Sequence, residues 1–383
     1  MKRFAAVLLT LAVLLCPSVR AAGPGISAAS AILIDGESGR VLYAQNAEEE
    51  RPIASITKLM TALVAVESHP DLSEVVTIRP EWTGVEGSSM YLKAGEELTL
   101  EALLYGLLLA SGNDAAVAIA GFCAGDVDTF VAWMNDKAAE LGMEDTHFSN
   151  THGYHDDDHY TSAYDIYLMC REAMKHETFR TIVGSKNYTM PATNLHPEPR
   201  IIRSTNALIS NFRVAGYIYE YATGIKTGST PEAGYCLAAS ATRENRNLIS
   251  VVMGCEREPG TSGSDGYIYF DETIRLFKWG FANFSTQTIL DNTKRDIPEV
   301  EVTLGKDAAS VTLMPDGKLT ALLPNDVSAE NFTYDYTLET RSVEAPVEQG
   351  QVLGTITAYF NGKSYGTLDL VATCSVGRDP WLY

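Results

Sequence analysis

Ser55 and Lys58 stand three residues apart in Ser55-Ile-Thr-Lys58, a spacing that puts both side chains on one face of a helix. A serine hydroxyl is a weak nucleophile until a neighbouring group takes its proton. A lysine can do so only when desolvation or a second cation lowers its pKa. Lys58 is the only charged residue between Ser55 and Glu67, and a lone charge in so apolar a segment must be paired, hydrogen-bonded or neutral. Ser111-Gly-Asn113 brings a second hydroxyl able to relay a proton. It also brings an amide that can donate to a substrate carbonyl and hold the lysine. In Lys226-Thr-Gly228 an ammonium beside the Thr227 hydroxyl suits a substrate carboxylate and supplies the second cation. Gly228 leaves the strand edge open to a ligand backbone, and Ser229 follows. The backbone N–H groups of Ser55 and Ser229 are the expected donors to a tetrahedral oxyanion. Singly, these motifs also read as a snorkelling lysine, a turn and a strand start; in this order they describe serine acyl transfer.

The elements around the motifs follow from periodicity. Residues 31–44 alternate as a hairpin turning through Gly36 to Gly39. Ile56, Leu59, Leu63 and Val66 recur at helical spacing, with Met60 and Val64 widening the apolar face. An apolar helix is predicted over 98–110, broken at 111–113 and resumed over 114–120, so the second motif joins two buried helices. Loop and weak helix alternate over 145–180. Strands are expected at 224–230, 235–243 and 248–255, and an amphipathic helix at 271–281. The chain turns polar near 286–298. Beyond it, period-2 stretches at 300–304 and 332–338 and the Asn361-Gly362 turn predict a separate small all-β domain.

The 383 residues are long enough for two domains and a sizeable core. Lys2 and Arg3, the apolar run over 4–16 and the small residues Val19, Ala21 and Ala22 read as a cleavable export signal over 1–22. The run ends at Pro17, short of the roughly 20 apolar residues a membrane span requires. A formal charge of −20 argues against nucleic acid or an anionic membrane surface as partner. Without Cys16 the cysteines are Cys123, Cys170, Cys236, Cys255 and Cys374. Their odd number and irregular spacing fit neither a disulfide framework nor a zinc site; Cys236 and Cys255 lie in apolar strand-like runs that could be neighbours, but are expected to be buried free thiols.

The three motifs, with the stretches 31–44, 52–63, 87–92, 152–165, 224–229, Gly234-Tyr235 and Trp279-Gly280-Phe281, resemble the low-molecular-weight penicillin-binding proteins, the serine-type D-alanyl-D-alanine carboxypeptidases. The resemblance implies an α+β, β-lactamase/transpeptidase-like catalytic domain over 28–285, an antiparallel sheet flanked by helices, followed by the all-β domain over 291–383. It implies that Ser55 attacks the carbonyl between the terminal D-alanines of a peptidoglycan stem peptide, that water releases the acyl-enzyme, and that β-lactam antibiotics acylate the same serine. Catalytic roles then fall to Ser55, Lys58, Ser111 and Asn113, and substrate binding to Lys226, Thr227, Gly228 and Ser229; no metal or cofactor is expected. Two departures stand out. The family's carboxylate-binding arginine before the closing helix has no counterpart in 266–270, and no terminal membrane anchor is evident after Trp381-Leu-Tyr383.

Three other readings compete. A class A β-lactamase shares the motifs but would need a glutamate for its deacylating water, and no Glu-x-x-Leu-Asn lies between Asn113 and Lys226. His152, His155 and His159 around Asp156-Asp157-Asp158 could suit a metal hydrolase, although crowded onto one loop. An inactive wall-binding relative would keep the fold alone, yet all six key polar side chains are present.

Overall fold

Strand Ser30–Asp35 is buried along its whole length, and its alternating side chains serve two cores. Ile32 and Ile34 enter one core while Ala31 and Leu33 enter the other. In the computed structural model, which describes residues 23–257, 266–294 and 296–381, this strand lies in a five-stranded sheet. The order is Val41–Gln45, Ser30–Asp35, Arg246–Cys255, Gly234–Arg243, Ala222–Thr230, and every pairing is antiparallel. The hairpin between Gly234–Arg243 and Arg246–Cys255 closes on Glu244 and Asn245, both with positive φ (52° and 59°), as a two-residue turn requires. The expected signal over 1–22 lies outside the described residues.

Period-2 alternation divides the sheet's faces over 31–34, 236–241 and 248–253. Cys236, Ala238, Ile249, Val251 and Met253 join the larger core, beneath α1 (Lys58–Ser68), α2 (Leu100–Leu108), α3 (Asn113–Ala124), α4 (Val127–Leu141), α5 (Ala163–Ala173) and α6 (Glu177–Gly184). Leu237, Ala239, Leu248, Val252 and Cys255 face the second core, covered by α7 (Ile268–Asn283). At Gly254 (φ 64°), beside a register shift, the alternation breaks, so Met253 and Cys255 enter different cores, as do Cys236 and Cys255; both cysteines are free thiols, as are Cys123, Cys170 and Cys374. An α+β domain of antiparallel sheet flanked by helices is therefore what the alternating and helical patterns build.

Several elements went unread in the sequence, and two of them matter most here. Helix α4 is one, although Asp126 caps it by accepting from Thr129 N at 2.8 Å. The other is strand Phe284–Leu290, which pairs antiparallel with Leu319–Pro324. Its polar Ser285, Thr286, Gln287 and Thr288 suggested a connection, but only Ile289 and Leu290 of this strand are buried, so polar residues cost little along the rest. The β-rich part thus takes up the chain directly at the end of α7. It goes on to a four-stranded sheet in which Val352–Phe360 and Lys363–Ala372 form the hairpin turning at Asn361-Gly362, with φ of 50° and 74°. Arg40 fastens it to the first domain, donating to Leu322 O at 2.7 Å with its guanidinium over the Tyr365 ring. Among the described residues no single helix is long and apolar enough to cross a membrane.

Candidate active site

Ser55 lies in a 3-10 turn, Ala54–Thr57, from which α1 runs on at Lys58. Ala54 just before it has φ 51°, a left-handed conformation that costs a non-glycine residue about 1 kcal/mol or more. The loop after α4 holds it there. Gly153, itself at φ 83°, packs so closely that a Cβ would fall 1.8 Å from Ala54 O. Ser111 is the second site residue with positive φ (62°), turning the chain between α2 and α3.

Lys58 Nζ donates to Ser55 Oγ at 2.9 Å and to His152 O at 2.6 Å. Its side chain is fully buried. Burial holds the amine well below its ordinary pKa, the charge of Lys226 lowers it further, and Asp114 opposes them. Lys226 is also buried, donates to Thr227 O at 2.8 Å, and is pushed down to about 7 by burial first and Arg213 second. Both conditions for a neutral lysine beside the serine are therefore met in the fold.

Strand Ala222–Thr230 packs beside the turn that bears Ser55. A Cβ on Gly228 would sit 3.0 Å from Ser55 N and 3.1 Å from Ile56 N, so the glycine lets the strand approach the serine turn, beyond leaving its edge open. Thr227 Oγ1 meets Thr205 Oγ1 at 2.9 Å, and Ser229 is exposed beside it. Asn113 is buried, but its amide donates to Glu86 O at 2.5 Å. The lysine is held by the His152 carbonyl in place of the Asn113 amide expected from the sequence. Of the residues singled out from the sequence, Ser55, Lys58 and Gly228 are brought together by these contacts, and the charge of Lys226 reaches Lys58.

Several positioning residues carried no usable sequence signal. Asp114, 1% exposed, accepts from Ser89 Oγ, Met90 N and Leu92 N and so ties the loop before α2 to the start of α3. His159 accepts from Ser149 N at its Nδ1 and meets Thr57 Oγ1 at its Nε2 at 2.7 Å. Thr57 Oγ1 in turn donates to Ala54 O, which leaves Nε2 as the protonated donor. Burial pushes this imidazole down to about 3, in keeping with a neutral brace. His152 Nδ1 accepts from Tyr154 N at 3.1 Å. His159 thus supports the serine turn through its ring, and His152 holds Lys58 through its carbonyl.

Fold and site together define a transpeptidase-like serine enzyme. The D-alanyl-D-alanine carboxypeptidase family matches residues 18–257, and the C-terminal domain of penicillin-binding protein 5 matches residues 284–378. The chain is 32% identical over 346 residues to the D-alanyl-D-alanine carboxypeptidase DacF of Bacillus subtilis, covering 88% of this chain and 82% of that protein. To DacA of Escherichia coli it is 35% identical over 362 residues, covering 91% and 83%. Penicillin-binding protein 5 from Haemophilus influenzae superimposes with a TM-score of 0.69 at 30% identity, over 93% of this chain and 99% of that one. The chain belongs to the low-molecular-weight penicillin-binding proteins, the serine-type D-alanyl-D-alanine carboxypeptidases. It is a hydrolase that acts on peptidoglycan stem peptides through an acyl-enzyme intermediate.

Proposed function

We propose that Ser55 is the nucleophile of this carboxypeptidase and Lys58 its general base; the observation that carries the reading is the 2.9 Å contact between Ser55 Oγ and a fully buried Lys58 amine. Neutral Lys58 takes the hydroxyl proton as Oγ attacks the carbonyl of the penultimate D-alanine. The Ser55 and Ser229 N–H groups stabilise the oxyanion. Ser111 passes the proton to the departing amine of the last D-alanine, Asn113 orients the peptide, and Lys226, Thr227 and Ser229 hold the terminal carboxylate. Water then attacks the ester and frees Ser55. A β-lactam enters by the same attack and stays as the ester, so a fluorescent penicillin should label the protein at one site, mapped by peptide mass spectrometry to the segment around Ser55. Labelling elsewhere would defeat the assignment.

The two lysines need opposite protonation states, which makes the reading testable by pH. Acylation requires Lys58 neutral and so rises with pH, while carboxylate binding requires Lys226 charged and declines as pH passes its value of about 7. For a peptide ending in free D-Ala-D-Ala, kcat/KM should be bell-shaped, and the same peptide as a C-terminal amide should lose the alkaline fall. Lys226→Ala is expected to cost the acid roughly 10- to 100-fold more than the amide, the range of a lost charged hydrogen bond. Equal losses on both would assign Lys226 to depressing the pKa of Lys58 alone.

We propose further that the protein is exported and works outside the cytoplasm, on the strength of the basic start at Lys2 and Arg3, the apolar run and the small residues near Ala21 and Ala22. The mature chain should begin near residue 22 or 23 when its N-terminus is read from intact cells by mass spectrometry. A retained Met1 would overturn this.

A further inference from the structure

The stretch 266–270, where the family's carboxylate-binding arginine would stand, carries aromatic side chains. Tyr269 stacks on Tyr235 with centroids 5.3 Å apart and planes 9° apart, and Tyr267 meets Tyr235 edge-on at 5.5 Å. Tyr235 in turn pairs with Ser229 across the sheet, so this aromatic group lies beside the end of the Lys226-Thr-Gly strand. A second segment is braced onto the same place. At one end of the chain between 205 and 217, Thr205 bonds Thr227 Oγ1. At the other, the Tyr217 ring packs on Phe270 at 5.2 Å and its hydroxyl accepts from Tyr267 N at 3.3 Å. Val214 is buried in the core beneath.

Arg213 sits on this segment, exposed, next to its buried anchor Val214. Among the described residues it forms no ion pair or hydrogen bond. The other arginines nearby are occupied, Arg203 over the Phe212 ring and Arg257 over the Tyr267 ring. The field of Arg213 reaches both Lys226 and Tyr269, lowering each, and no carboxylate contributes to the environment of Lys226. Among the described residues, two cations therefore act on each other and no carboxylate acts on Lys226. Left so, they repel each other; an anion placed between them is stabilised by both.

We propose that Arg213 binds the C-terminal carboxylate of the substrate together with Lys226, Thr227 and Ser229, taking over from a different segment the part of the arginine missing from 266–270. A guanidinium presents a planar fork that meets both carboxylate oxygens, which the single ammonium of Lys226 cannot do. Its exposed position lets it reach an arriving ligand while Lys226 stays beneath, and the tyrosines form the apolar side of the pocket for the last D-alanine. The assignment rests on the reading of Ser55 as nucleophile and Lys226 as carboxylate ligand.

The test uses the full chain as wild type, Arg213→Gln and Arg213→Lys, with one peptide ending in D-Ala-D-Ala as free acid and as C-terminal amide. The release of D-alanine or its amide gives kcat and KM for each. Arg213→Gln is expected to lower kcat/KM for the acid tenfold or more, chiefly through KM, and that for the amide less than twofold; Arg213→Lys, which keeps the charge but loses the fork, should fall between. An unchanged acid-to-amide ratio in Arg213→Gln, or equal losses on both substrates, would overturn the role of Arg213. Because each protein is also labelled with fluorescent penicillin, failure of the broader reading shows separately, as absent labelling at Ser55 in the wild type. That result would remove the Arg213 assignment with it.

Discussion

Ser55→Ala is expected to abolish covalent labelling by penicillin and to lower D-alanine release by a factor on the order of 10⁴ or more. The hydroxyl is the atom that forms the ester, and Lys58 beside it cannot substitute within the same geometry. Folding should survive, since Ser55 is only part-buried and its recorded side-chain contact is the donation from Lys58 Nζ at 2.9 Å. A melting curve equal to that of the wild type, with no adduct in the intact mass, is the predicted pair of results. An undiminished adduct would move the nucleophile elsewhere.

Lys58→Arg should fold and yet lose acylation by about 10²- to 10⁴-fold, the usual worth of general-base catalysis. A guanidinium keeps the charge but is not deprotonated in a protein, so it cannot receive the serine proton. Because the side chain is wholly enclosed, the longer arginine could disturb packing, and Lys58→Met serves as a companion that matches the volume without the charge. That variant should lose about 1–3 kcal/mol of stability, since His152 O loses its donor, and be equally slow. Stopped-flow penicillin acylation measures all three proteins. Near-wild-type rates in either variant would make Lys58 structural and send the search for the base to another group.

The legible part of the site was the part written in short-range spacing. Ser55 and Lys58 meet because three residues span about one helical turn, and Lys226, Thr227 and Gly228 lie in a run that reads as a strand in the sequence. The same holds for much of the sheet: side chains of 31–34, 236–241 and 248–253 divide between the two cores as the pleat demands. Helix α4 was as well signalled as these, with its cap at Asp126 and Gly142 after its last turn, and its omission was a failure of reading.

Long-range partners were another matter. The sequence by itself determined which residues could do the chemistry, which segments would be helix or strand, and, through the family likeness, the reaction. Only the tertiary structure decided that the lysine is held by the carbonyl of His152, 94 residues away, that Asp114 gathers the loop containing Ser89, Met90 and Leu92, and that His159 locks Thr57 and the turn bearing Ser55. It also decided the tight approach of Gly228 to Ser55 and brought the charge of Arg213 to bear on Lys226. The physical reason is that periodicity records whether a side chain faces core or water, a property of one element. A hydrogen bond to a distant carbonyl, or the field of a remote cation, depends on how several elements pack against one another, and nearly any residue type can offer its backbone to such a contact.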